Sequence, residues 1–480
     1  MNIVSLLYQT VKKFPGKTAV IFKGKKIEYS SLWQNIQNIL NRLKLIGFQK
    51  DCKVALFLPD GVEFVLCFYA ILMGGGIVIP LASYLKKYEI NTIFGNCNPR
   101  FVISQLDIWE KATPDREFDA RVISVTYLMD MDKGNETCNE KIEHCRSDSL
   151  ASINYTYTGT GYPLGAELTH GNYLYGLIGL IRHLRLKKGD IFLAPLPMAH
   201  IYSLTLGNLV PILNGSTLVI SDSHFPNTLI SLIENNNVSI LISVPSLFAL
   251  LNRANTNNRI NSLRFMISGG EYLPPGLYFD IIKGLKTPLV QGYGLTECMP
   301  IICNVPGGPG KPESLGIPGR KDILVKIINP EMKSLETGKV GEIIIKSPTT
   351  MKRYHNRPEE TKNTFHNGWL KTGDLGRIDH EGFLFFFGLK KKIYNLSGLK
   401  VDPFELETVG KLHPKVKDIK ISAETIEGIL PKKALAADVL INDNATLEEK
   451  ELREFYKSNI ALYKVPKYIK LRKQNSGMVK

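Results

Sequence analysis

The chain has 480 residues, 44% of them hydrophobic, with 40 glycines and a formal net charge of +15. That length allows one large domain or two to four smaller ones, with ample core. The lysines are scattered, and no long basic tail interleaved with aromatics accompanies them, so the charge reads as a solvated surface; no nucleic-acid partner is expected, and at most peripheral membrane contact. The seven cysteines, at 52, 67, 97, 138, 145, 298 and 303, include no CxxC pair. Cys138, His144 and Cys145 fit no common zinc spacing, so unpaired thiols in a reducing, cytoplasmic setting are the expectation. The first 17 residues are too polar for a secretory signal.

In chain order, an apolar stripe predicts a helix over 29–47 and β-prone runs predict strands at 53–59 and 101–105. Between them, residues 62–81 imitate a membrane span. Glu63, Gly74, Gly75, Gly76 and Pro80 argue instead for a buried helix, a glycine turn and a short strand. A helix is predicted over 171–186 and another over 274–285. Strands are predicted at 190–197, 216–221, 239–245 and 263–270. Such alternation implies parallel sheets covered by helices. Beyond Ser314 short strands follow in quick succession, at 323–329, 341–347 and 382–388, as in a small barrel or antiparallel sheet. After Gly388 come a Lys-rich connector and a compact tail of strand, strand and helix.

Three segments carry candidate chemistry. "YTYTGTGYPLGAELTH" (155–170) follows a β-prone run and opens toward a helix. Its Thr156, Thr158, Gly159, Thr160 and Gly161 offer hydroxyl and backbone donors to an anion, although ordinary turns use the same residues. Such loops usually also carry a lysine; here that place holds Leu164. "QGYGLTE" (291–297) follows an apolar run and is expected at the carboxyl end of a strand, where open α/β sheets bind ligands. Tyr293 offers a ring to a base, Thr296 a hydroxyl to a phosphate and Glu297 a hard oxygen to Mg²⁺. In "GWLKTGDLGRID" (368–379), Asp374 suits both hydroxyls of a ribose, or a simple Asx turn.

The order and spacing of these segments resemble the adenylate-forming enzymes (AMP-dependent synthetases and ligases), closest in texture to the acyl-CoA synthetases. The resemblance runs over essentially the whole chain. It includes "PLPMAHIYSL" (195–204), "SGGEYLPP" (268–275), "YHNRPEETKNTFHNGW" (354–369), "LSGLKVDPFELE" (396–407) and "LYKVPKYIK" (462–470). It implies an α/β fold with a large N-terminal domain of two α/β sheets plus a distorted β-barrel (1–388). A small α+β C-terminal lid (389–480) would turn about a hinge at Lys391. It implies a carboxylic acid attacking ATP to give acyl-AMP, then a thiol of CoA or of a phosphopantetheine-bearing acyl carrier protein taking the acyl group. Tyr293 and Gly269, Gly270 and Glu271 would sandwich adenine. Thr296 would touch the α-phosphate, Glu297 would ligate Mg²⁺ and Asp374 would hold the ribose. His200 would stand where the acyl pocket meets the thiol tunnel, and Gly398 would line the pantetheine path. Ile267, Gly292, Gly294, Met299 and Ile301 would wall the acyl pocket; these suit an aliphatic or aromatic acid, in the first instance a fatty one.

The chain departs from the family pattern where cations serve the polyphosphate. Leu164 stands for the loop lysine, Leu389 for the connector arginine and Met478, after Gly477, for the C-terminal lysine. Arg472, Lys473 or Lys480 are candidate substitutes. One positioned charge contributes about 3–4 kcal/mol to a transition state. Two functions therefore compete: an ATP-dependent acid–thiol ligase, and a degenerate adenylate-binding homologue or scaffold with weak adenylation.

Overall fold

The computed structural model describes residues 1–480 except 113–117, 131–141, 257–258, 308–310, 391–392, 397, 427–431, 443 and 474–480, together with all side chains but those of 300, 301, 426 and 432. Cys138, the hinge candidate Lys391 and the C-terminal Gly477, Met478 and Lys480 lie outside the described residues, as does the side chain of Ile301.

Two large sheets form the first part of the chain. One has six strands in the order Arg121–Ser124, Phe101–Ser104, Lys53–Leu58, Ile77–Ala82, Leu150–Thr156, Leu164–Thr169. All its pairings are parallel except the last. The other has nine strands, and its centre, from Leu289–Leu295 through Phe265–Ser268, Ile240–Ser243, Ile191–Leu193 and Thr217–Val219 to Thr18–Phe22, is parallel. Parallel strands need helical crossovers, which bury both faces and explain the continuous apolar runs. The imitation of a membrane span resolves as expected. Helix Val62–Met73 buries every residue except Glu63, Gly75 turns the chain at φ +75°, and strand Ile77–Ala82 follows. No helix among the described residues is long and apolar enough to cross a membrane. The six described cysteines are all free and buried.

Residues 150–170 differ from expectation. The Thr/Gly loop joins two antiparallel strands, Leu150–Thr156 and Leu164–Thr169, and the helix His170–His183 begins only after the second. The helix that follows in sequence therefore does not open from the loop; the helix that meets it is Pro403–Lys411 of the tail, whose N-cap Asp402 accepts the Gly161 N–H at 2.8 Å. Thr156 lies in the first strand, paired with Leu164, and Leu164 is 1% exposed within the principal core.

A five-stranded antiparallel sheet follows, built on Gly341–Lys346 and the long Trp369–Ile378 strand. The tail packs a hairpin, Tyr394–Leu396 with Leu399–Val401, and helices Pro403–Lys411 and Glu449–Asn459 against a three-stranded sheet. It has its own core, centred on Val401, Leu406, Val439 and Tyr456. This small unit sits on the large one as a lid. Lys464, fully buried, bridges Glu405 of the lid (2.8 Å) and Glu89 of the large part (2.6 Å), both also fully buried. The rings of Tyr463 and Tyr84 meet nearly perpendicular, with centroids 5.6 Å apart.

Candidate active site

The site lies where strand Leu289–Leu295 stops pairing in parallel with Phe265–Ser268 and starts pairing antiparallel with Cys298–Cys303. The segment 291–297 thus occupies the carboxyl end of the parallel sheet. Three chambers meet there. The first, of about 100 Å³, has a glycine-rich wall of Gly269, Gly270, Gly292 and Gly294 with Tyr293 and Thr296, and an apolar wall that includes Ile267, Leu206 and Leu180. A Cβ on Gly269 would sit 3.0 Å from the Tyr202 ring, so a side chain there would press on the ring that lines this wall. The second, of about 530 Å³, is an apolar channel lined by Leu196, Leu247, Leu250 and Leu462. His200, Tyr202, Gly270 and Gly398 line both and form the neck between them. The third, of about 50 Å³, is polar and holds Thr158, Glu297, Asp374 and Tyr354.

Two carboxylates define the polar chamber. Tyr293 donates its hydroxyl to Asp374 Oδ2 at 2.6 Å, and the Asp374 backbone N–H donates to Thr372 Oγ1 at 3.0 Å. Burial pushes the Asp374 carboxyl pKa up, while the Tyr293 bond and the charge of Lys400 pull it back. Tyr354 donates to Glu297 Oε1 at 2.6 Å. Glu297 Oε2 and Thr158 Oγ1 are buried with no partner among the described residues. Both line this chamber, so a polar ligand there would satisfy atoms the protein leaves unpaired.

His200 stands just before a π-helical segment, Ser203–Leu209. It accepts the Tyr202 N–H on Nδ1 at 3.4 Å. Burial, and then the charge of Lys400, push its pKa down to about 4. The ring is therefore neutral at neutral pH.

The Thr/Gly loop divides between two tasks. Thr158 faces the polar chamber, and Gly159 and Gly161 take φ +85° and +84°. The other groups face elsewhere. Thr160 donates to Tyr162 O within the turn at 2.8 Å. The Gly161 N–H donates to Asp402 Oδ2 of the lid at 2.8 Å, and Tyr157 donates its hydroxyl to Glu405 Oε1. Lys464 Nζ stands 4.0 Å above the centre of the Tyr157 ring.

The remaining expected site residues sort as follows. Gly269, Gly270, Gly292, Tyr293, Gly294, Thr296, His200, Ile267 and Gly398 come together around the first chamber. Glu271 does not line it; its carboxylate accepts the Ser246 N–H at 3.2 Å. Met299 does not line it either. It is 1% exposed, in the core, where its methyl packs toward Gly176. Its neighbours Ile302 and Cys303, cross-strand partners of Tyr293 and Gly292, take the wall instead. Leu389 brings an apolar side chain to the polar chamber. Arg472 is paired with Asp438 on the lid sheet. Sequence reasoning did not single out Tyr202 or Lys400 as site residues, although each lies inside a quoted segment.

A small polar chamber, a glycine wall beside it and a separate apolar channel, all closed by a small lid, define an enzyme class with two routes to one centre. The chain belongs to the AMP-binding enzyme family, whose model matches residues 7–355. It is 26% identical to the long-chain-fatty-acid–CoA ligase of Bacillus subtilis, over 98% of this chain and 91% of that one. It also resembles the o-succinylbenzoate CoA synthetase of Bacillus subtilis, at 26% identity over 97% of this chain and 94% of that one. A double mutant of that enzyme bound to its product analogue OSB-NCoA superposes with a TM-score of 0.87, and the same enzyme in complex with AMP with 0.73.

Proposed function

We propose that the chain activates a carboxylic acid as an acyl-adenylate and transfers the acyl group to the thiol of CoA or of a carrier-bound phosphopantetheine. The observation that carries this is the neck at His200, Tyr202, Gly270 and Gly398, which joins the glycine-walled chamber to the apolar channel. A thiol on a flexible arm would enter by the channel and meet an acyl carbon at the neck. In that role Asp374 would hold the ribose, exchanging its Tyr293 bond for ribose hydroxyls, while the Tyr293 ring and Gly269–Gly270 flank the adenine. Thr296 would face the α-phosphate. Mg²⁺ fits as a partner of the unpaired Glu297 Oε2, completed by phosphate oxygens and water, since the described residues contain no cluster of three or more acidic, His or Cys ligands. Bound there, it would neutralise developing phosphate charge. The acyl wall of Ile267, Leu206, Leu180 and Cys303 is apolar. A chamber of about 100 Å³ suits a short aliphatic or an aromatic acid better than an extended fatty chain. We place the division between the two domains at residues 388 and 389, at the last residue of strand Leu384–Leu389, which pairs with Trp369–Ile378, and ahead of the lid hairpin.

A second reading is favoured by the loop. Its Gly161 N–H and Tyr157 hydroxyl are engaged by the lid, and Leu164 is packed in the core. A chain so built would handle an adenylate while forming it slowly from ATP. Pyrophosphate release with ATP, Mg²⁺ and a panel of short aliphatic and aromatic acids separates the two. Turnover with at least one acid is expected from the ligase. No release with any acid, alongside measurable AMP binding, leaves the slow adenylate handler.

A further inference from the structure

The family resemblance leads one to look for cations on the phosphate loop, the connector and the C-terminus. In this structure the loop position is a core leucine, the connector position is the apolar Leu389, and Arg472 is held by Asp438. A phosphate chamber with two carboxylates needs a counter-charge from somewhere. Lys400 is on the lid hairpin, directly paired with Asn395. Asn395 fixes that hairpin to the large domain by donating to Gly270 O at 2.7 Å, and its side chain also accepts the Gly398 N–H at 3.0 Å. Gly398 turns the hairpin at φ +83°, and a Cβ there would lie 2.9 Å from Val244 Cγ1, so the close seating requires glycine. The seated hairpin puts Lys400 on the wall of both the glycine-walled chamber and the polar chamber, and among the described residues no other charged side chain lines both. Its ammonium makes no hydrogen bond or ion pair among the described residues, unlike Lys390, which is held by Glu342 at 2.7 Å, and Lys464.

We propose that Lys400 is a catalytic residue of the thiol step: with the lid docked, its ammonium holds the phosphate of the acyl-adenylate at the junction of the two chambers. This rests on the adenylate reading above. The thiol loses its proton to solvent. The sulfur then attacks the acyl carbon, the carbon–sulfur bond forms, and the carbon–oxygen bond to phosphate breaks with its electron pair leaving on AMP. The charge that grows on the leaving phosphate grows beside Lys400. Because the lysine rides on the lid, it serves only the arrangement in which the lid is seated. The lysines lost elsewhere are thereby replaced for the second half-reaction and not for the first.

The test uses the full chain and the variants Lys400→Gln, Lys400→Arg and Lys371→Gln, Lys371 being the other lysine on the polar chamber's wall. AMP and adenosine binding are measured by calorimetry. Thioester formation is followed in single turnover from synthetic benzoyl-AMP or hexanoyl-AMP with CoA. Lys400→Gln is expected to slow thioester formation about 10²-fold, to weaken AMP binding and to leave adenosine binding unchanged. Lys400→Arg should recover most of both. Equal AMP affinity in wild type and Lys400→Gln overturns the assignment, as does loss of adenosine binding in parallel with AMP. A phosphate effect confined to Lys371→Gln also overturns it. A wild-type chain that makes thioester from the adenylate yet releases no pyrophosphate from ATP overturns the ligase reading alone and leaves Lys400 in place.

Discussion

The polar chamber and the outward face of the Thr/Gly loop are a few residues apart and are finished in opposite ways. In the chamber, Glu297 Oε2 and Thr158 Oγ1 are buried without partners. On the loop's other face, the Gly161 N–H, one of the donors expected to meet an anion, and the Tyr157 hydroxyl already have lid carboxyls as partners. An unpaired buried polar atom costs about 1–3 kcal/mol, so it persists where a ligand supplies the missing bond. A satisfied one has no such call on a ligand. The difference teaches that the nucleoside side of the site is built to receive something, whereas the loop is built to receive the lid.

The comparison breaks most sharply at Asp374. Replacing Asp374→Ala removes the acceptor proposed for two ribose hydroxyls and leaves Tyr293 without its partner. Charge-assisted hydrogen bonds contribute about 1.5–3 kcal/mol each, so AMP affinity should fall by about 10²-fold or more in calorimetry. AMP binding at wild-type strength would show that this chamber is not the nucleoside site. Asp374→Asn, which keeps one acceptor oxygen, should fall between the two.

Much of this architecture is legible in the residues alone. The apolar strand runs, the glycine turn after Met73 and the segments around Tyr293 and His200 place the first chamber and its neck, and the segment around Asp374 places the polar chamber, because each rests on a local pattern. The Thr/Gly loop is not legible in the same way. Its composition fits a phosphate turn before a helix, and only strand pairing reveals a second strand, Leu164–Thr169, between loop and helix. Met299 and Glu271 fail for a related reason. Each sits in or just beyond a quoted segment, but which way a side chain faces depends on register against a distant strand or loop. Lys400 shows the reverse. It is close to Gly398 in sequence, yet its place beside Asp374 depends on how the lid docks.

The loop's half of the comparison is sharpened by Tyr157→Phe. That change removes one hydroxyl bond to Glu405 and keeps the ring beneath Lys464. A buried bond to a carboxyl contributes about 1.5–3 kcal/mol, so the docked lid should lose about 10- to 10²-fold in population. Hydrogen exchange of helix Pro403–Lys411 should quicken accordingly. ATP–pyrophosphate exchange should rise, since the loop is freed for phosphate. Unchanged exchange in the helix would mean that the lid is held by Lys464, the Tyr84–Tyr463 contact and the Gly161–Asp402 bond without help from the Tyr157 hydroxyl.

The gentlest probe of the same latch is pH. Glu405 is buried with Glu89, Lys464 and Tyr157 around it, two carboxyls against one ammonium. Burial, followed by the charge of Glu89, outweighs the pull of Lys464 and raises the Glu405 pKa from its ordinary 4.5 to about 7. A proton on Glu405 makes the cluster neutral, so the docked lid binds a proton that an undocked, hydrated Glu405 would release. The stabilisation this gives to docking is fully present below the ordinary carboxyl range and is lost as pH rises through about 7. With one proton linked, the docking equilibrium should weaken by about tenfold between pH 6 and pH 8, read as faster hydrogen exchange in the same helix after correction for intrinsic rates. Glu405→Gln carries the neutral form at every pH and should flatten that slope. A slope that survives in Glu405→Gln would show that the linked proton is not on Glu405, and the latch would then not be set by this carboxyl.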